Sequence, residues 1–143
     1  MTDHLFLYGT LLPAVVGPPC RDHVARLRPV GRGWVPGRLY NLGWYPGAVL
    51  DPSAATRVHG EVFALPDDPT LLAALDVYEG FDANNPAGSW FLRIRHPITL
   101  DSGGEVACWL YVCPREPAEA PQIACGDYLR WRAGGETSAG SGR

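Results

Sequence analysis

Glu79 stands in the stretch Leu75-Asp76-Val77-Tyr78-Glu79-Gly80-Phe81, a carboxylate placed one residue before a glycine that stops a helix. Leu71, Leu72, Leu75 and Tyr78 recur three and four residues apart, the spacing of a helix face turned toward a core. Glu79 follows Leu75 by four residues and Leu72 by seven, so it lies along the apolar stripe. Asp76 is rotated by about 100° from Leu75 and on this reading points to solvent. Burial disfavours the charged form of an inward carboxylate, and the negative end of the helix dipole repels it. Both effects raise its proton affinity toward neutrality, as a general base that later returns its proton requires. The competing reading is structural: Arg93 or Arg95, on a neighbouring strand, would hold Glu79 in an ion pair.

A second group sits near the N-terminus, where the apolar run His4-Leu5-Phe6-Leu7 ends in Tyr8-Gly9-Thr10-Leu11-Leu12. Gly9 lets a strand end in a tight bend, and the N–H groups of Gly9, Thr10 and Leu11 would then point into one concavity suited to a carboxylate or a carbonyl oxygen. A strand followed by Gly-Thr is common, so this signal is weak when taken alone.

The elements that must position these residues are legible. Asp68 caps the helix that ends at Glu79, Pro69 takes its first position and Gly80 stops it. Strand signals run over His4–Tyr8, Val30–Tyr40, Trp44–Leu50, Val58–Leu65, Trp90–Ile98 and Glu105–Val112, all rich in β-branched and aromatic residues and parted by Gly, Pro, Asp and Ser. With 17 Gly and 14 Pro in 143 residues a helical bundle is excluded, and the domain is read as β-rich. A short helix starts at Asp127 and carries Tyr128, Leu129 and Trp131. The small, polar segment 134–143 is expected to be a disordered tail, leaving one domain over residues 1–133.

Composition removes several classes of function. The net charge is −3, with 12 basic against 15 acidic residues, and no basic run is interleaved with aromatics, so nucleic acid is not expected as a partner. Every basic residue is Arg, which excludes a Schiff-base lysine, a P-loop lysine and a lysine nucleophile. No basic start with a long apolar run and no stretch near ~18 apolar residues is present, so neither a signal peptide nor a membrane span is expected and the location is read as cytoplasmic. Cys20, Cys108, Cys113 and Cys125 lack metal-ligand spacing and read as reduced thiols. His4, His23, His59 and His96 show no ligand spacing either, and no metal is expected.

Taken together, the motifs resemble those of the γ-glutamylcyclotransferase-like family, which includes γ-glutamylamine cyclotransferases and plant AIG2-like proteins. Tyr8-Gly9-Thr10-Leu11 is similar to its YGTL signature, and Gly37-Arg38-Leu39-Tyr40 with Tyr45-Pro46-Gly47-Ala48-Val49 to its G-x-L-Y and Y-P-G-x-V segments. Val58-His59-Gly60-Glu61-Val62-Phe63 is similar to its V-x-G-E-V-F strand, and the stretch around Glu79 to the one carrying its catalytic glutamate. The resemblance runs in the family's order from about residue 4 to residue 131.

That resemblance implies an α+β fold, a small mixed β-barrel with few flanking helices, and a cavity where the YGTL loop faces the glutamate. It implies an enzyme that cyclises a γ-glutamyl group to 5-oxoproline and releases an amine, amino acid or peptide, with no cofactor. Glu79 would be the general acid/base, and backbone groups of Tyr8, Gly9, Thr10 and Leu11 would hold the γ-glutamyl moiety. Tyr45, Tyr111 and Tyr128 are further candidates for the cavity, and Arg93 for orienting Glu79 or a substrate carboxylate. The polar loop from Asp82 to Ser89 is expected to flank the cavity mouth and select the leaving group. The partner is a small γ-glutamyl molecule, or a carrier-protein-linked conjugate. The other class of reading is a non-catalytic binding or interaction module that keeps the fold. The sequence does not set the oligomeric state.

Overall fold

Apolar and polar residues alternate most clearly in Arg57–Ala64, where Val58, Gly60 and Val62 are buried while His59 and Glu61 are partly exposed. This is the signature of a strand with one face on a core. A computed structural model describes residues 2–134. The elements are β1 (His4–Leu7), α1 (Pro18–Ala25), β2 (Arg28–Asn41), β3 (Pro46–Leu50), β4 (Arg57–Ala64), α2 (Pro69–Glu79), a 3-10 turn (Pro86–Gly88), β5 (Leu92–Leu100), β6 (Glu105–Val112) and α3 (Tyr128–Ala133).

The strands run in the order β3-β2-β4-β1-β6-β5, and β5 returns to pair with β2. The result is a closed five-stranded barrel with β3 as an extra strand on β2, the α+β arrangement expected. The β1–β6 pairing is parallel and the others are antiparallel. Closure leaves few free strand edges. β1 alternates between two cores, as a period of two requires. Phe6 and Tyr8 join Val35, Leu39, Val62 and Leu110 inside the barrel, while Leu5 and Leu7 join Leu71, Leu75, Cys20 and Val24 under the helices.

α2 is built as its sequence dictates. The Asp68 carboxylate accepts from the Thr70 N–H at 3.0 Å, and Gly80 takes the left-handed conformation at φ 71°. The N–H of Phe81 then donates to the Asp76 carbonyl at 2.9 Å and that of Gly80 to the Val77 carbonyl at 3.2 Å, a Schellman cap. Leu71 and Leu75 are fully buried and fasten the helix to the barrel. Leu75→Ala should cost about 2–5 kcal/mol of unfolding free energy in a urea titration, from lost transfer energy and the cavity left behind. A cost under ~1 kcal/mol would mean that α2 is not held by this face.

Three differences from the sequence reading concern element limits. α1 was not foreseen: it opens with two prolines and buries only Cys20 and Val24, too little to draw a stripe. β3 begins at Pro46 and β5 at Leu92, leaving Trp44 and Trp90 outside the ladders. Trp44 lies in a turn closed by the Leu42 N–H on the Tyr45 carbonyl, and the Trp90 N–H donates to the Gly80 carbonyl at the end of α2. Finally, Gly134 is the C-cap of α3, and the rest of the expected tail lies outside the described residues. Among the described residues no helix is long and apolar enough to cross a membrane.

Candidate active site

Glu79 is the last residue of α2 and lines a cavity of about 660 Å³ together with Tyr8, Gly9, Thr10 and Leu11. The helix end and the turn after β1 therefore meet, as expected. The residue keeps a partial opening toward the cavity, but its carboxyl is withdrawn from bulk water, and this burial pushes its pKa up to about 7. No ion-pair or hydrogen-bond partner of the Glu79 carboxylate is found among the described residues. The structural alternative of an arginine holding Glu79 is thereby overturned: Arg93 pairs with Asp76, and Arg95 lies 3.6 Å from Asp3.

Asp76 corrects the expectation of a solvated carboxylate. It accepts from Arg93 Nε at 2.7 Å, from Arg93 Nη2 at 3.1 Å and from the Tyr111 hydroxyl at 2.7 Å. Its side chain is only 16% exposed. Arg93 on β5 and Tyr111 on β6 are direct cross-strand partners, so the barrel wall presents both to one point on α2. The Arg93 guanidinium also lies over the Trp109 ring, 4.6 Å from its centroid. This knot ties the helix turn that carries Glu79 to β5 and β6, and Arg93 is not among the residues that line the cavity.

Gly9 has a structural reason different from the one its position suggested. It does not have a positive φ; instead, a Cβ there would stand 2.7 Å from Pro46 Cγ. The glycine is needed so that the loop can approach β3. The Leu12 N–H closes the following turn onto the Gly9 carbonyl at 3.0 Å, while the N–H groups of Gly9, Thr10 and Leu11 have no backbone acceptor among the described residues. Unpaired donors beside a cavity are what an oxyanion or a carboxylate would use.

Tyr8 donates its hydroxyl proton to the Tyr111 carbonyl at 2.6 Å and accepts from the Ala48 N–H at 3.1 Å. Burial, with the nearby Glu79 charge adding to it, holds this phenol protonated. Its side chain thus ties three strands together, and what Tyr8 offers a ligand is its place at the loop. Tyr45 and Phe91 line the cavity as an edge-to-face pair with ring centroids 5.8 Å apart. Tyr111 lines it as well.

Two other candidates are not brought to the cavity. Tyr128 is buried in the barrel-interior cluster and stacks on Trp131 at 5.9 Å, because α3 packs its aromatic residues into the barrel. The loop from Asp82 to Ser89 contributes no lining residue. Its polar groups bond among themselves, with the Ser89 hydroxyl accepting from the Asp82 N–H and the Asp82 carboxylate from the Asn84 N–H. Sequence reasoning missed the Asp76–Arg93–Tyr111 knot and the places of Trp44 and Trp90 on the cavity lining. The available signals were the three-residue spacing of Asp76 and Glu79 and the position of each tryptophan after a turn residue, Gly43 or Ser89. No group of three or more His, Cys, Asp or Glu suited to a metal ion is present among the described residues.

The family model described as gamma-glutamyl cyclotransferase, AIG2-like, matches residues 5–130. No curated protein matches. An AIG2-like protein from Mus musculus is similar in structure with a TM-score of 0.66 at 21% identity, over 99% of this chain and 98% of its own. Protein ytfP from Escherichia coli is similar with a TM-score of 0.59 at 28% identity, over 88% of this chain and 96% of its own. YkqA from Bacillus subtilis gives a TM-score of 0.70 at 18% identity over 94% of this chain and 42% of its own, so the chain spans less than half the length of that protein.

Proposed function

Because the chain belongs to the gamma-glutamyl cyclotransferase, AIG2-like family, we propose that it cyclises the γ-glutamyl group of a small conjugate to 5-oxoproline and releases an amine. The observation that carries this reading is Glu79: a carboxylate with no cationic partner among the described residues, its pKa raised by burial to about 7, on the wall of a cavity that also holds the Tyr8 to Leu11 turn. A carboxyl so placed accepts and returns a proton near neutral pH.

In the reaction, the α-amino nitrogen of the γ-glutamyl group attacks its own γ-carbonyl carbon, and a C–N bond closes a five-membered ring. Glu79 takes the proton that this nitrogen loses. The tetrahedral centre then collapses, the bond to the leaving nitrogen breaks, and Glu79 gives that nitrogen the proton. The products are 5-oxoproline and an amine, and Glu79 ends ionised as it began. The free N–H groups of Gly9, Thr10 and Leu11 are suited to the oxyanion or to the α-carboxylate. Since nucleophile and electrophile belong to one molecule, the cavity's main task is to hold the chain folded, a contribution that reaches several kcal/mol.

The test is to incubate the purified protein with γ-glutamyl amines, amino acids and peptides and to measure 5-oxoproline by mass spectrometry. Release from any member supports the proposal. Binding without product from the whole panel would overturn it in favour of a non-catalytic module. A second measurement concerns the loop: Gly9→Ala should lower kcat/KM by on the order of tenfold, because the new methyl meets Pro46 and displaces the amide donors. Unchanged kcat/KM in this variant would remove the loop from the substrate site.

A further inference from the structure

Five large apolar side chains stand exposed among the described residues, and four of them, Trp44, Val77, Tyr78 and Trp90, line the cavity that holds Glu79. Exposed apolar residues scattered singly are ordinary, whereas a group around one concavity marks a binding surface. Trp44 is 92% exposed and Trp90 72%, a large aromatic surface left in water at the cavity mouth.

The backbone at each tryptophan is fixed by hydrogen bonds. Trp90 is anchored by its N–H on the Gly80 carbonyl at 2.9 Å, and its side chain covers Gly80 so closely that a Cβ there would meet Trp90 Cβ and Cδ1 at 3.0 Å. The indole therefore sits beside the residue that follows Glu79. Trp44 rides on a turn closed twice, by the Leu42 N–H on the Tyr45 carbonyl and by the Gly43 N–H on the Asn41 side chain, each at 2.9 Å. Farther along the lining, the Tyr45–Phe91 pair extends the aromatic wall.

Charge adds a second, independent argument. Among the described residues that line the cavity, Glu79 is the only Asp, Glu, Arg or His, and Arg93 pairs with Asp76. An amino-acid leaving group carries its carboxylate one carbon from the scissile nitrogen. That carboxylate would find no cation among the described lining residues and would lie near the charge of Glu79.

We infer that the amine released is an apolar one, an aryl or branched alkyl amine with no carboxylate beside the scissile nitrogen, whose hydrocarbon part seats against Trp44 and Trp90. The inference rests on the cyclotransferase reading for its chemistry and goes beyond it in naming the leaving group. An apolar subsite discriminates on the order of tenfold or more for a group of this size.

The test compares kcat/KM for γ-glutamyl conjugates of benzylamine, 3-methylbutylamine, ethylamine and glycine. The benzyl and methylbutyl conjugates should exceed the ethyl conjugate by roughly tenfold and the glycine conjugate by more. In Trp90→Ala and Trp44→Ala the benzyl-to-ethyl ratio should fall toward one, and Trp90→Phe should retain most of it. Equal kcat/KM for the benzyl and glycine conjugates, or a ratio unmoved in both alanine variants, would overturn the inference. Absence of 5-oxoproline from all four conjugates would instead strike the cyclotransferase reading. Calorimetric titration of the same compounds then decides the subsite by itself: tighter binding of the benzyl conjugate, lost in Trp90→Ala, sustains it, and equal binding of all four rejects it.

Discussion

Glu79→Gln should lower kcat for 5-oxoproline release by roughly 10²- to 10⁴-fold, while the variant stays folded and still binds the conjugate. The amide keeps the shape of the carboxyl and cannot take the proton that the attacking nitrogen must lose. In the wild type the pH profile of kcat/KM should show an acid limb near the Glu79 pKa of about 7, with activity falling as pH falls because the protonated carboxyl accepts nothing. That limb should be absent from whatever activity the variant retains.

The same raised pKa sets a stability relation with the opposite benefit. Burial moves the Glu79 carboxyl from 4.5 to about 7. Between these values the folded state binds the proton and the unfolded state does not, so stability falls as pH rises through the window. Above pH 7 the cost is fully developed, as much as about 3 kcal/mol. Glu79→Gln should therefore be more stable than the wild type at pH 8 and nearly equal to it near pH 4, as urea titrations at the two pH values would show. A variant that gains stability while losing turnover fits a site held at the expense of the fold. Equal loss of stability at both pH values would mean that Glu79 is an ordinary packing residue.

The second large effect concerns Asp76, which does not itself line the cavity and acts as a positioning residue. Asp76→Asn keeps the volume but places an amide where a carboxylate holds Arg93 by two bonds and Tyr111 by one. The Arg93 side chain is 18% exposed, so its charge would be left largely desolvated without a counter-ion. The expected loss is about 2–4 kcal/mol, since breaking a buried pair costs more than the pair contributes. The turn carrying Glu79 would loosen, and kcat should fall on the order of tenfold with a smaller change in KM. A purely structural role would leave the pH profile where it is. The uncompensated Arg93 charge near α2 should instead favour ionised Glu79 and move the acid limb to lower pH. A stability change within ~0.5 kcal/mol and an unmoved limb would together reject this role.

Much of α2 was legible because its signals are local. Asp68, Pro69 and Gly80 mark the ends by capping chemistry, and Leu71 and Leu75 mark the buried face by a period that depends only on helix geometry, whereas Tyr78, read onto the same stripe, stands exposed at the cavity. The strand runs were found for the same reason, with errors at their ends where aromatic content was taken for pairing. Trp44 and Trp90 look like strand residues by type, yet a turn and a helix end claim their backbones. α1 escaped because a short helix that buries two residues leaves almost no periodic trace.

The inward turn of Glu79 and the presence of the Tyr8 to Leu11 turn were determined by the sequence, since each follows from periodicity or from a short motif. That the two share a cavity, that Arg93 serves Asp76 rather than Glu79, and that Tyr128 fills the barrel interior instead of the cavity were decided only by the tertiary structure. The physical reason is register over long range. β5 and β6 set Arg93 beside Tyr111, and the return of β5 to β2 closes the wall against which α2 lies. A carboxylate's partner depends on which side chains that closure presents to it, and a helix read along its own axis carries no record of them.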